Sequence, residues 1–115
     1  MPDYRRNRVP GGTYFFTVTL ADRRSDLLTR HISVLGRAFR HVQRSRPFRC
    51  DAIVVLPEHL HCLWTLPADD DDYARRWQQL KARFARLLPN QQPLAPHQRR
   101  AGERGLWQRR YWEHT

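Results

Sequence analysis

The stretch Ile53-Val-Val-Leu-Pro-Glu-His-Leu-His-Cys-Leu-Trp-Thr-Leu-Pro67 decides the fold of this chain. Two apolar runs flank Pro57-Glu58, which is typical of two strands joined by a short turn. Along a strand from Leu60 to Leu66, successive side chains point to opposite faces. His59 and His61 therefore share one face. Two imidazoles on one face can bind one divalent metal ion, but the spacing alone also allows a structural role, and a working site needs at least a third group.

Two strands and a helix are predicted around this stretch. Tyr14 to Leu20, after the turn Pro10-Gly-Gly-Thr13, reads as a first strand, and Cys50 to Leu56 reads as the second. Between them, Thr29 is predicted to cap a helix that runs to about Ser45. The side chains expected on its buried face follow helical spacing: Ile32, Leu35, Phe39 and Val42.

A second helix and a fourth strand complete the pattern. The acidic run Asp69 to Asp72 suits the N-terminus of a helix from Tyr73 to Leu88. Its predicted buried stripe is Tyr73, Trp77, Leu80, Phe84 and Leu87. Its basic residues are expected mostly off that stripe, as a solvated face or a phosphate track: Arg75, Arg76, Lys81, Arg83 and Arg86. Leu106 to Trp112 is predicted as the fourth strand.

The resulting order, β-α-β-β-α-β, predicts an α+β fold of the ferredoxin-like, split βαβ type, with an antiparallel sheet and two helices on one face. We expect one domain over residues 1–115, since this length supports a single core. The first and third strands should lie at the centre of the sheet. The histidines would then sit on the face without helices, with Phe15 or Thr17 as neighbours.

The charge of the chain indicates a polyanionic partner. Twenty-one Lys and Arg face eleven Asp and Glu, so the net charge is +10, and nearly all of the cations are arginine. Arginine binds phosphate in a bidentate manner and stacks on bases. Arginines are interleaved with aromatic residues near the end of the chain, as in sites for single-stranded nucleic acid. The candidate nucleic-acid ligands there are Arg99, Arg100, Arg109 and Arg110.

Other features narrow the class of protein. No apolar run approaches the roughly 20 residues of a membrane span, and no apolar segment follows the basic N-terminus as in a signal peptide. Cys50 and Cys62 are too few for a disulfide framework, so we expect two reduced thiols in a cytoplasmic protein with no membrane partner. The sequence leaves the oligomeric state open.

Several motifs, in order along nearly the whole chain, resemble a known family. His59-Leu-His61, between Val54-Val-Leu-Pro-Glu58 and Cys62-Leu-Trp-Thr-Leu-Pro67, looks like the HUH motif of single-strand DNA transposases. Tyr4-Arg-Arg6 with Gly11-Gly-Thr-Tyr-Phe-Phe-Thr-Val18 resembles the REP-associated tyrosine transposases in particular. So do Arg76-Trp77 with Lys81 and Phe84, and Gly105-Leu-Trp-Gln-Arg-Arg-Tyr-Trp-Glu-His114.

The resemblance implies a metal-assisted mechanism. His59 and His61, with a further polar side chain, would hold Mg²⁺ or Mn²⁺ against the scissile phosphate. A tyrosine would then attack and form a 5′-phosphotyrosine on single-stranded or hairpin DNA, in this subfamily repetitive extragenic palindromes. Arg5 and Arg6, near the Gly11-Gly12 turn, would bind the hairpin.

One departure from the family pattern concerns the nucleophile. The family's tyrosine lies in a Tyr-x-x-x-Asn helix after the Trp-Glu-His segment, whereas this chain stops at Thr115. We therefore expect that helix to be missing and identify no catalytic residue, with Tyr111 as a weak substitute. Two alternatives to a transposase remain: a catalytically dead remnant that binds hairpin or single-stranded DNA, and an RRM-like RNA-binding module.

Overall fold

The computed structural model describes residues 8–89, 106–108 and 110–114. Its strands and helices follow one another as β1 (Thr13–Thr19), α1 (Leu27–Arg30), α2 (Ile32–Ser45), β2 (Arg49–Val55), β3 (His59–Thr65), α3 (Tyr73–Leu87) and β4 (Trp112–His114). The α+β class is confirmed, and the two long helices correspond to the two expected from the sequence.

The four strands form one sheet in the order β2-β3-β1-β4, with every pair antiparallel. The first and third strands are central, as expected. In the β1–β3 register, Thr17 lies opposite His61 and Thr19 opposite His59. Because directly opposed residues have their side chains on the same face, the histidines and these threonines share one side of the sheet.

The core lies between the other side of the sheet and helices α2 and α3. β1 and β3 alternate between buried and half-buried side chains, as a sheet covered on one face requires. Trp64 of β3 stacks on Trp77 of α3, with ring centroids 4.3 Å apart, and Phe16 of β1 packs edge-on to both. These three side chains have no exposed surface, so truncating any of them to alanine should cost about 3–5 kcal/mol.

The start of the first long helix differs from the prediction. Thr29 does not cap it but lies inside the short α1, where its hydroxyl donates back to the carbonyl of Asp26. The helical path breaks at His31, and α2 begins at Ile32. The predicted buried face is confirmed for Leu35, Phe39 and Val42 but wrong for Ile32, which is half exposed at the first position of the helix. That face consists of Val34, Leu35, Ala38, Phe39 and Val42.

The fourth strand is shorter and later than predicted. Trp112–His114 pairs with β1, Trp107 makes an isolated bridge to Leu20, and the amide of Gln108 donates to the carbonyl of Thr19 at 2.9 Å. Five residue steps separate Trp107 from Trp112, but only three separate their partners Leu20 and Thr17, so the two segments are not in one continuous register with β1. The Lys81 ammonium donates to the carbonyl of Gln108 at 2.9 Å, which supplies that carbonyl with a partner outside the sheet.

The prediction that Arg76 lies off the buried stripe of α3 is wrong. Arg76 is only 2% exposed and forms an ion pair with Asp70. Its guanidinium also donates to the backbone carbonyls of Arg46, Pro47 and Asp72 at 2.7–3.1 Å. A buried guanidinium is tolerated here because its donors all have acceptors. Arg76 therefore joins α3 to the end of α2 and is not part of a phosphate track.

Candidate functional site

The two histidines of β3 lie together on the helix-free face of the sheet. Their ring centroids are 5.0 Å apart and the ring planes are 83° from parallel. Both side chains are partly exposed. Alternation along β3 brings them to the same face. Helices α2 and α3 pack on the other face of the sheet, so they do not cover the histidines. The predicted pair is therefore juxtaposed and accessible.

Each imidazole is held through its Nδ1 atom. Nδ1 of His61 lies 2.8 Å from the hydroxyl of Thr17, on the adjacent β1. Nδ1 of His59 is hydrogen-bonded to the carboxylate of Glu58, and because an ionised carboxylate can only accept, Nδ1 carries the hydrogen. A proton held at Nδ1 leaves the lone pair of Nε2 for a ligand. This is the orientation in which protein histidines bind metal ions, so the pair fits a divalent metal.

Glu58 is itself held in place by Arg23. The guanidinium Nε of Arg23 donates to the carboxylate at 2.8 Å. Partial burial disfavours the ionised carboxylate, but the hydrogen bonds to His59 and Arg23 outweigh it and lower the pKa of Glu58. Because Glu58 is ionised, its carboxylate remains a hydrogen-bond acceptor for Nδ1 of His59. Glu58 and Arg23 were not among the site residues predicted from the sequence; an acidic residue directly before His59 is the sequence signal that could have indicated Glu58.

Aromatic rings surround the histidines. Phe15 stacks on His61, with centroids 5.6 Å apart and planes 12° from parallel. Trp112 packs edge-on to Phe15 and stacks on His114. Trp112 is 48% exposed and Val54 on β2 is 57% exposed, so the face has a substantial apolar surface around its polar pair. Phe15 and Thr17 are the neighbours expected from the strand order.

A third metal ligand is not evident in the part of the chain that the structure describes. Over residues 8–89, 106–108 and 110–114, no cluster of three or more His, Cys, Asp or Glu could hold a metal ion. The histidine pair by itself is thus an incomplete coordination sphere.

The described tyrosines lie away from the histidines. Tyr14 and Tyr73 have no exposed surface and pack in the core on the helix side. Burial raises the pKa of Tyr14, although the hydrogen bond that the backbone amide of Val9 donates to the phenolic oxygen opposes the rise. Tyr111 packs against Phe16 and Trp77 on the same side, with the Lys81 ammonium 5.2 Å from its ring centre. Tyr111 thus occupies a packing position.

The Gly11-Gly12 turn is anchored to the acidic run before α3. The amide of Gly11 donates to the carbonyl of Asp70 at 2.9 Å. Gly11 has φ of 70°, and a Cβ there would lie 3.1 Å from backbone atoms of Ala68. Only glycine suits both conditions. The Gly11-Gly12 turn is therefore fixed by the loop that Arg76 holds through Asp70.

The predicted nucleic-acid ligands fall mostly beyond the described part of the chain. Arg110 is exposed and directly precedes Tyr111. The others lie outside the described residues: Arg5, Arg6, Arg99, Arg100 and Arg109.

The histidine pair lies on the open face of a four-stranded α+β sheet, in a chain of net charge +10. Comparison with known proteins finds REP-associated tyrosine transposases among the relatives of this chain. The chain is 46% identical, over its whole length, to the REP-associated tyrosine transposase of Escherichia coli K12. It is 42% identical, over 99% of its length, to a proposed REP-associated tyrosine transposase of Haemophilus influenzae. Over the region that it spans, the chain is similar to REP-associated tyrosine transposases.

Solved structures give the same result. The fold matches a REP-associated tyrosine transposase bound to a REP hairpin, with a TM-score of 0.81, 46% identity, and coverage of 99% of this chain and 61% of that chain. A proposed transposase of Deinococcus radiodurans, 18% identical, has the same fold, with a TM-score of 0.64 over 98% of this chain and 85% of its own.

The matches cover only part of each relative. The chain spans 62% and 65% of the length of the two curated relatives. No family profile matches the sequence. Among the described residues, no helix is long and apolar enough to cross a membrane.

Proposed function

We propose that this chain is the DNA-binding and metal-binding part of a transposase that acts on hairpin DNA, and that His59 and His61 provide two ligands for Mg²⁺ or Mn²⁺. The observation that carries the proposal is the orientation of the pair: both Nδ1 atoms are engaged, by Thr17 and Glu58, and both Nε2 atoms are left for a ligand on an open face. The relationship to a protein solved with a REP hairpin supports DNA as the substrate.

The chain's own residues would bind and orient the substrate. A divalent metal bound by the histidines would polarise the scissile phosphate. Thr17 and Glu58 hold the imidazoles so that no reorientation is needed when the phosphate arrives. Phe15 and Trp112 offer apolar and aromatic surface beside the pair, on which an unpaired base could stack.

The attacking tyrosine, in this proposal, is not one of the described tyrosines. Tyr14, Tyr73 and Tyr111 all pack on the helix side of the sheet, away from the histidine face. We therefore expect that Tyr14, Tyr73 and Tyr111 form no covalent adduct with a 5′-labelled hairpin oligonucleotide in Mg²⁺, as seen by denaturing gel electrophoresis and peptide mapping of any adduct. Hairpin binding without cleavage is the second candidate function, and the same packing of the tyrosines favours it.

Metal and hairpin binding test the proposal separately. Titration with Mn²⁺, followed by the loss of its free-ion EPR signal, should show one site in the native chain and none in the His61→Ala variant. Unchanged Mn²⁺ affinity in that variant would rule out the histidine pair as a metal site. A DNA hairpin should bind more tightly than an unpaired strand of the same composition and than the corresponding RNA hairpin; preference for RNA would support the RNA-binding alternative.

A further inference from the structure

The outer surface of α2 and α3 carries arginines without acidic neighbours in sequence. No Asp or Glu occurs in residues 27–50 or in residues 73–89. Along α2, the exposed basic side chains lie at positions i, i+3, i+4 and i+7 and so share one face, opposite the buried one. They are Arg37, Arg40, His41 and Arg44.

Helix α3 extends this surface. A terminal guanidinium nitrogen of Arg83 lies 2.7 Å from Nε2 of His41, so the basic faces of the two helices adjoin. Arg86 is exposed one turn further along α3. We call the five arginines of this surface the helix-face arginines: Arg37, Arg40, Arg44, Arg83 and Arg86.

The remaining described arginines behave differently, because nearly all of them form ion pairs. The pairs join Arg8 and Arg75 to Asp72, Arg23 to Glu58, Arg24 to Asp22, Arg30 to Asp26, Arg49 to Asp51, and Arg76 to Asp70. In the part of the chain that the structure describes, no ion pair joins a helix-face arginine to a carboxylate. The acidic residues are thus segregated from this surface, and its like charges repel one another unless an external anion is present.

The surface offers charge but no stacking platform. The aromatic side chains of the two helices all point into the core: Phe39 is 8% exposed, and Tyr73, Trp77 and Phe84 are not exposed at all. Single-stranded nucleic acid sites combine basic residues with aromatic rings, whereas a duplex presents its phosphates without unstacking its bases. The chemistry therefore favours the backbone of a double helix over an unpaired strand.

We propose that the helix-face arginines form a second nucleic-acid surface, which binds the phosphate backbone of double-helical DNA without reading its sequence. The surface lies on the opposite side of the molecule's sheet from His59 and His61 and does not depend on them. It goes beyond the hairpin and metal functions proposed above, since it would hold duplex on the side away from the histidines.

The salt dependence of duplex binding tests this surface. The probe is a blunt 20-base-pair DNA duplex, with affinity measured by fluorescence anisotropy over a NaCl series. The triple variant Arg37→Ala/Arg40→Ala/Arg44→Ala should lower the magnitude of the slope of log K against log[NaCl] by about 2.7, since each phosphate that is no longer neutralised lowers it by about 0.9. Alanine at these exposed helical positions favours the helix, so the fold should be retained.

A matched control removes the same charge elsewhere. Arg24→Ala/Arg30→Ala/Arg49→Ala also removes three positive charges, but each of these arginines has a carboxylate partner, so its slope should stay within about 1 of the native value. An equal decrease in the two triple variants would overturn the proposal, because it would show an effect of net charge alone. Lysine at positions 37, 40 and 44 should restore the slope, and failure to do so would also overturn it.

Two further arms identify the partner. Vesicles containing anionic lipid should bind the helix-face triple variant and the control variant equally well. If the helix-face triple variant binds the vesicles more weakly than the control while its duplex slope is unchanged, the partner of this surface is a membrane and the proposal is overturned. Duplex RNA of the same sequence should not bind more tightly than the DNA, and tighter binding of the RNA would overturn the choice of DNA as the partner. The His59→Ala variant should keep the native duplex slope, so failure of the histidine site and failure of this surface give different results.

Discussion

Replacing Arg76 with methionine should destabilise the fold more than any change to an exposed arginine. Methionine keeps much of the buried stem but removes five hydrogen bonds, two to the Asp70 carboxylate and three to backbone carbonyls. Hydrogen bonds to charged groups are each worth about 1.5–3 kcal/mol, but Asp70 is partly exposed and regains water when it loses its partner. We therefore expect a decrease in unfolding free energy of about 3–5 kcal/mol, the usual cost of breaking a buried ion pair.

Urea unfolding followed by tryptophan fluorescence measures this decrease, with Arg75→Met as the control. Arg75 is exposed and pairs with Asp72 at 3.8 Å, so its replacement should cost less than about 1 kcal/mol. A decrease below about 1 kcal/mol in Arg76→Met would refute the reasoning that the guanidinium joins α3 to the end of α2. A double-mutant cycle with Asp70→Asn should show a coupling energy, since the two residues share two hydrogen bonds.

The same pair has a pH signature. The hydrogen bonds from Arg76 lower the pKa of Asp70 below its ordinary value of 3.8. A carboxyl group whose pKa is lower in the folded chain stabilises the fold above pH 3.8, and this contribution disappears as the pH falls through the folded-state pKa. The acid-induced fall in stability should be smaller in Asp70→Asn than in the native chain. An identical pH profile below about pH 4 would contradict the assignment of that carboxylate to the pair.

Three other predictions concern single side chains. Thr17→Val should weaken Mn²⁺ binding about 10–100-fold because it removes the hydroxyl that holds His61. Thr19→Val, on the same strand and face, should leave the Mn²⁺ affinity unchanged. Equal effects of the two variants would show that the Thr17 hydroxyl does not orient the ring of His61. Gly11→Ala should destabilise the fold by about 1–3 kcal/mol, since position 11 has a positive φ and a Cβ there would contact the backbone of Ala68. Gly36→Ala in α2 should be neutral or stabilising. Similar unfolding midpoints for the two variants would argue against a strained turn at Gly11. Cys62 should react with a thiol reagent only on unfolding, because burial raises the pKa of its thiol and only 2% of the residue is exposed; rapid native-state labelling at two sites would contradict this.

The shared face of His59 and His61 could be predicted because it depends on one strand. Alternation along β3 is a local property, and a strongly apolar opposite face permits only one orientation toward the core. Strand order then placed Phe15 and Thr17 beside the histidines. The hydrogen bond between Thr17 and His61, and the hydrogen bonds that link His59 through Glu58 to Arg23, depend on rotamers and on a loop 35 residues away. Such interactions leave no periodic pattern in the sequence from which they could be predicted.

By itself, the sequence determined the α+β class, the central position of the histidine strand and the excess of positive charge, because these follow from local patterns and composition. Only the tertiary structure decided where the arginines act. Arg76 and Arg75 are neighbours in sequence, yet one is buried against carbonyls from the end of α2 and the other lies in solvent. The short β4 likewise depends on its register with β1, which could not be predicted from the sequence of the segment itself. Long-range partners decide both features, because burial and pairing depend on which distant groups the fold brings within a few ångströms.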